Sequence, residues 1–116
     1  MLEKTLESMG VAYARDLGWV VFKMSSPGSR GAHDRIHHKN GLTFYIEYKA
    51  PRKKATPLQL RFARDVSSAG VPSKCCDSLV SAKEFIDAMD KLLRVPMEKR
   101  MALYFAYSKD VSSFYA

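Results

Sequence analysis

Asn40-Gly41 lies between two strand-like runs, "AHDRIHHK" and "LTFYIEYK", and it constrains the fold of this chain more than any other feature. Both residues tolerate the positive φ angles of a two-residue type I′ turn, whose twist matches that of the strands it joins. Residues 32–39 and 42–49 are therefore predicted to pair antiparallel, with Lys39 facing Leu42. Counting outward from that pair sets Asp34 directly opposite Glu47. Side chains alternate along a strand, so Leu42, Phe44, Ile46 and Tyr48 share one face while Thr43, Tyr45, Glu47 and Lys49 share the other.

The flanking segments read as helices and two further strands. Leu2, Leu6, Met9, Ala12, Tyr13 and Leu17 recur at helical spacing across residues 2–17 and stop at Gly18, the pattern of an amphipathic helix with glycine just past its end. Residues 19–24, "WVVFKM", are rich in β-branched and aromatic side chains and predict a strand running into the turn-forming "SSPGSRG", which carries Arg30. Thr56 and Pro57 suit the N-cap and first position of a second helix, with Leu58, Phe62 and Val66 as its apolar stripe and Gly70 as its stop. A strand near residues 74–77 and a helix over residues 81–93 complete the order α-β-β-β-α-β-α, and the tail from Pro96 reads as a further helix.

A chain of 116 residues suits one domain, with a core over residues 2–93 and an extension over 94–116. Its 47% hydrophobic and 27% charged residues are ordinary for a globular protein. No apolar stretch approaches the roughly 20 residues of a membrane span, and none resembles a secretory leader, so an intracellular location without membrane attachment is expected. Cys75 and Cys76 are adjacent and cannot form an ordinary disulfide with each other, which fits a reducing compartment. The net charge of +7, with Lys49, Arg52, Lys53 and Lys54 in one short segment, points to a polyanionic partner such as nucleic acid.

Two carboxylates opposed on neighbouring strands have Cβ atoms about 5 Å apart and repel each other. Lys49 supplies one compensating charge. A divalent cation supplies more: oxygen ligands converging from two strands are what Mg²⁺ or Mn²⁺ needs, with water and a substrate phosphate completing the shell. Asp34, Glu47 and Lys49 therefore read as a metal site with an attached cation.

An acidic residue, a spacer of about a dozen positions and Glu-x-Lys on a strand resemble the core motif of the PD-(D/E)xK nucleases. Three stretches, "FKMSSPGSRGAHDRI", "YIEYKAP" and "TPLQLRFARDVSSAG", resemble in particular the VRR-NUC branch, the virus-type replication and repair nuclease domain in its stand-alone phage or bacterial form. The resemblance runs from the first helix to about residue 90. It implies an α/β (α+β), restriction-endonuclease-like fold with a central mixed sheet flanked by helices. It also implies a Mg²⁺- or Mn²⁺-dependent DNA endonuclease, selective for branched or four-way-junction DNA and acting in replication, recombination or repair in the cytoplasm of a bacterial or phage-infected cell. Carried over residue by residue, Asp34 and Glu47 match the metal ligands, Glu7 the helical acid acting through a water, Lys49 the motif lysine and Gln59 the glutamine that opens the following helix. Arg30, Arg35, Arg52, Lys53 and Lys54 are the cations expected to meet DNA. The family usually has Val-Pro before its aspartate, where this chain has Ala32-His33; the ligand itself is retained. Stand-alone members look like homodimers, and the aromatic tail with Tyr104, Phe105, Tyr107, Phe114 and Tyr115 offers an apolar surface for a two-fold interface.

Other readings stand beside this one. Glu3 is an alternative to Glu7, although the distance to Gly18 favours Glu7. His33, His37 and His38 match no common zinc spacing, and His33 is expected to line the DNA groove instead. A basic module that grips nucleic acid without cutting it would use Arg52, Lys53 and Lys54 alone, and a structural protein would use the aromatic tail as its docking surface.

Overall fold

The computed structural model describes residues 1–24, 31 and 33–115. Its centre is the expected hairpin. Asn40 and Gly41 both take positive φ, 47° and 86°, and join β2 (Arg35–Lys39) to β3 (Leu42–Tyr48). Lys39 pairs with Leu42 and Arg35 with Ile46, so one further step along the register brings Asp34 to Glu47. Asp34 itself lies just ahead of β2, where its carbonyl accepts the Met24 N–H at 2.9 Å. β1 (Val20–Lys23) runs antiparallel along the outer side of β2 and β4 (Ser73–Cys76) runs parallel to β3, giving a mixed sheet in the order β1-β2-β3-β4.

Two helices cover the apolar face of β3. α1 (Glu3–Asp16) ends at Gly18, which takes φ 92°, and α3 (Leu79–Leu92) begins two residues earlier than the hydrophobic spacing suggests because Ser78 caps it, its hydroxyl accepting the Ser81 N–H at 3.1 Å. Leu42, Phe44, Ile46 and Tyr48 are buried in the core with Leu6, Val11, Phe85, Ile86 and Met89. Trp19 meets Phe44 edge-on at 4.8 Å and donates to the buried Asp90 at 3.0 Å, which anchors the entry to β1. Gly10 is the point where α1 lies against Tyr48; a Cβ there would run into the tyrosine ring and hydroxyl.

Among the described residues, the second face is covered over β3 and β4 only. α2 (Pro57–Ser68) lays Phe62 over Tyr45 at 5.2 Å, whereas Leu58, expected in the apolar stripe, is largely exposed. α4 (Met97–Ser108) is helical as expected, and its buried Tyr104 donates its hydroxyl to the Thr43 carbonyl at 2.5 Å. A 3-10 turn (Ser112–Phe114) closes the chain against β4, where Ser113 Oγ accepts the Cys75 N–H at 3.0 Å and Phe114 is buried. Two of the five tail aromatics thus belong to the chain's own core; Phe105, Tyr107 and Tyr115 stay exposed. No helix among the described residues is long and apolar enough to cross a membrane.

Candidate functional site

Glu47 is 2% exposed at the end of β3, a costly place for a carboxylate unless its oxygens are met. Its Oε2 accepts the Gln59 side-chain N–H at 3.1 Å and lies 3.7 Å from Lys49 Nζ. Its Oε1 has no hydrogen-bond partner among the described residues; the nearest ring nitrogen, His33 Nδ1, is 3.8 Å away. Asp34 Oδ2 accepts the Tyr48 N–H at 2.8 Å, so the aspartate is locked to the strand that carries Glu47.

Both carboxyls resist ionisation. Burial, then the Glu47 charge, push Asp34 up to about 7 against the pull of the Tyr48 N–H. Burial pushes Glu47 up to about 7 against the pull of the Lys49 ammonium and of hydrogen bonding from Asp34, and Glu3 adds to the push. Two half-buried or buried acids with one nearby lysine and an unmatched oxygen lack positive charge. A hard divalent cation with open positions for water fits this donor set, since Mg²⁺ is commonly held by only one or two carboxylates. Among the described residues no three His, Cys, Asp or Glu side chains converge as a ready ligand cage.

Gln59 is oriented by the start of its own helix. Thr56 Oγ1 accepts the Gln59 N–H at 3.2 Å and Gln59 Oε1 accepts the Thr56 N–H at 2.9 Å, a reciprocal capping box. With its oxygen committed to the cap, the amide can only turn its NH₂ toward Glu47, so the cap fixes the donor.

The remaining sequence-derived residues fall in several places. Glu7 lies on α1 with Oε2 held by Arg35 Nε at 2.7 Å and Lys23 Nζ at 4.0 Å. Arg35 therefore faces α1, while the Glu7 charge also reaches Asp34. Glu3, one turn earlier, accepts the Ala50 N–H at 3.0 Å, and its charge reaches both Asp34 and Glu47. Arg52, Lys53 and Lys54 are exposed and line a cleft of about 490 Å³ at the β4 edge, with Lys74, Cys75 and Ser113. Arg30 lies outside the described residues. His33, expected to line the groove, is instead fully buried: it stacks on Phe114 at 4.7 Å and meets Phe62 edge-on at 4.6 Å, and burial drives it down to about 3, so it is neutral. Lys74 and Ser113 carried no sequence signal, because the cleft forms only when the 3-10 turn docks against β4.

No family model matches the chain. It is 42% identical over 60 residues to a protein described as "Putative nuclease p44" from Acyrthosiphon pisum secondary endosymbiont phage 1, a match over 51% of this chain and 64% of that relative's length. A solved structure described as "VRR_NUC domain" superposes with a TM-score of 0.67 at 24% identity, covering 73% of this chain and 94% of its own. The fold is that of a VRR_NUC domain: a four-stranded mixed sheet flanked by helices, as the sequence resemblance implied.

Proposed function

We propose that this chain is a VRR-NUC nuclease, a divalent-metal-dependent endonuclease that hydrolyses DNA phosphodiesters, and that it prefers branched substrates. The observation that carries this reading is the Asp34–Glu47 pair, two carboxyls held side by side at the cost of their ionisation, with Glu47 Oε1 unmatched. Asp34 and Glu47 would hold Mg²⁺ or Mn²⁺, with Glu7, or Glu3 one turn earlier, as the helix-borne acid acting through a water. When bound, such an ion polarises a phosphate oxygen and lowers the pKa of coordinated water.

The chain's own side chains supply the rest. Lys49, on the same face as Glu47, is placed to neutralise charge building on the phosphate. Gln59 keeps Glu47 Oε2 in one orientation, so Oε1 is the oxygen left for a ligand. Arg52, Lys53 and Lys54 bind flanking phosphates, and each neutralised phosphate releases counterions. The phage relative's name and the fold both support this reading.

A two-fold assembly would give a junction two cutting sites. The exposed Leu103 and Tyr107, one turn apart on α4, are the surface proposed for it, and light scattering on the wild type and on Leu103→Glu tests that part. The test of the function is incubation of labelled linear, flapped and four-way DNAs with and without Mg²⁺ or Mn²⁺. Ion-dependent cutting, strongest on branched DNA, is expected; DNA binding without cutting under every condition would leave only a basic binding module.

A further inference from the structure

Among the described residues, the face of the sheet that carries Asp34 and Glu47 continues across β1 and β2 with no helix packed on it. Phe22 pairs with Ile36, which pairs with Tyr45; Val20 pairs with His38, which pairs with Thr43. Cross-strand partners point to the same side, and Tyr45 is two residues from Glu47, so these rows lie directly beside the carboxylate row. The opposite face of β1 is occupied by the buried Val21. Phe22 is 57% exposed and Val20 51%, although both are large and apolar. His38 sits next to Phe22, ring centroids 6.2 Å apart, and is held in place by Thr43 Oγ1 at 2.9 Å from its Nδ1.

Charge is distributed unevenly around the site. The basic segment Arg52, Lys53 and Lys54 follows the far end of β3. The rows formed by Phe22, Ile36 and Tyr45 and by Val20, His38 and Thr43 contain no lysine or arginine. A polyanion gripped by the basic segment and crossing the carboxylates would next meet a surface suited to the faces of bases rather than to phosphates. From strand geometry Phe22 stands one strand across and two residues along from Asp34, about 8 Å away, within the reach of the nucleotide next to a phosphate held there.

We infer that Phe22, flanked by His38, is a stacking platform for an unpaired base next to the scissile phosphate, so that the preferred substrate carries a single-stranded segment at the cut. Bases inside a duplex already stack on one another and present no free face, whereas every unpaired base has one. This rests on the reading of Asp34 and Glu47 as the cleavage site, but its test needs no cleavage. The whole chain is titrated in EDTA with a 12-nucleotide single strand carrying 2-aminopurine, and with the same sequence as a duplex. Wild type is expected to quench the fluorescent base. Phe22→Ala should lose the quench and weaken single-strand binding about tenfold more than duplex binding, within the range measured for stacking on one aromatic ring. Phe22→Trp should retain both. Phe22 is exposed, so the melting temperature should hardly move. Equal losses on both DNAs, or an unchanged quench in Phe22→Ala, would overturn the inference. So would a dimeric wild type that becomes monomeric in Phe22→Ala, because the face would then be covered by a second copy. A nuclease that fails to cut but shows the expected quench would count against the proposed function alone.

Discussion

Replacing Asp34 with Asn removes one of two neighbouring carboxylates while keeping an acceptor, because an amide oxygen can still take the Tyr48 N–H that Asp34 Oδ2 holds at 2.8 Å. The Asp34 carboxyl is pushed from 3.8 up to about 7, by burial first and by Glu47 second. Between those values the folded chain keeps a proton that the unfolded chain has released. The contribution of Asp34 to stability must therefore fall as pH rises from about 4 to about 7, then level off. At ~1.4 kcal/mol per pH unit the full displacement corresponds to ~4 kcal/mol. Asp34 is only partly buried, and solvent screening reduces the expected effect to about 1–2 kcal/mol. For a domain of this size that is about 4–8 °C in melting temperature. Thermal melts of wild type and Asp34→Asn without divalent cation, at pH 4 and pH 8, report this contribution together with its coupling to Glu47, since groups away from the pair contribute equally to both proteins. The two should melt at similar temperatures at pH 4, and Asp34→Asn should melt higher at pH 8. Adding Mn²⁺ at pH 8 should raise wild type far more than the variant. Identical pH dependence in the two proteins would refute the reasoning that burial beside Glu47 keeps a proton on Asp34.

Gly10→Ala drives a methyl group into the Tyr48 ring; a loss of about 1–3 kcal/mol is expected in urea unfolding, with Tyr48→Phe giving partial relief. Gln59→Leu removes both the Glu47 contact and half of the capping box, so about 1 kcal/mol of stability and about a tenfold drop in kcat should appear together. Changing Arg52, Lys53 and Lys54 to Gln should flatten the salt dependence of duplex binding by up to about 2.7 in the log–log slope, measured by fluorescence anisotropy.

The hairpin was legible because its turn is local chemistry: Asn40-Gly41 specifies the register, and the register alone sets Asp34 beside Glu47. The start of α2 was legible for the same reason, since Thr56 and Pro57 are local cap chemistry, whereas the return contact from Gln59 that completes the box was not read from the sequence. His33 was not legible, because its burial depends on Phe62 from α2 and Phe114 from the end of the chain closing over it. Nor was the division of the tail, in which Tyr104 and Phe114 enter the core while Phe105 and Tyr107 face outward. That division depends on how α4 meets Thr43 and Gly70, a contact between segments far apart in sequence. It also makes removal of everything after Pro96 a test of folding rather than of assembly, so a point change on the exposed side of α4 is the better probe. The partners of Glu7 were hidden in the same way: the Arg35 contact appears only once α1 packs on the sheet.

The reading of Asp34 and Glu47 as a metal-dependent cleavage site is tested most directly by the rate of cutting of one labelled branched DNA, with Mn²⁺ titrated from zero, for wild type and Glu47→Gln. The two proteins are first matched by circular dichroism. Glu47→Gln keeps the shape of the side chain but removes the charge that binds a cation. Wild type should cut only when Mn²⁺ is present, and Glu47→Gln should stay at background at every concentration. Cutting by wild type in EDTA, or a folded Glu47→Gln protein that cuts at the wild-type rate, would contradict the assignment.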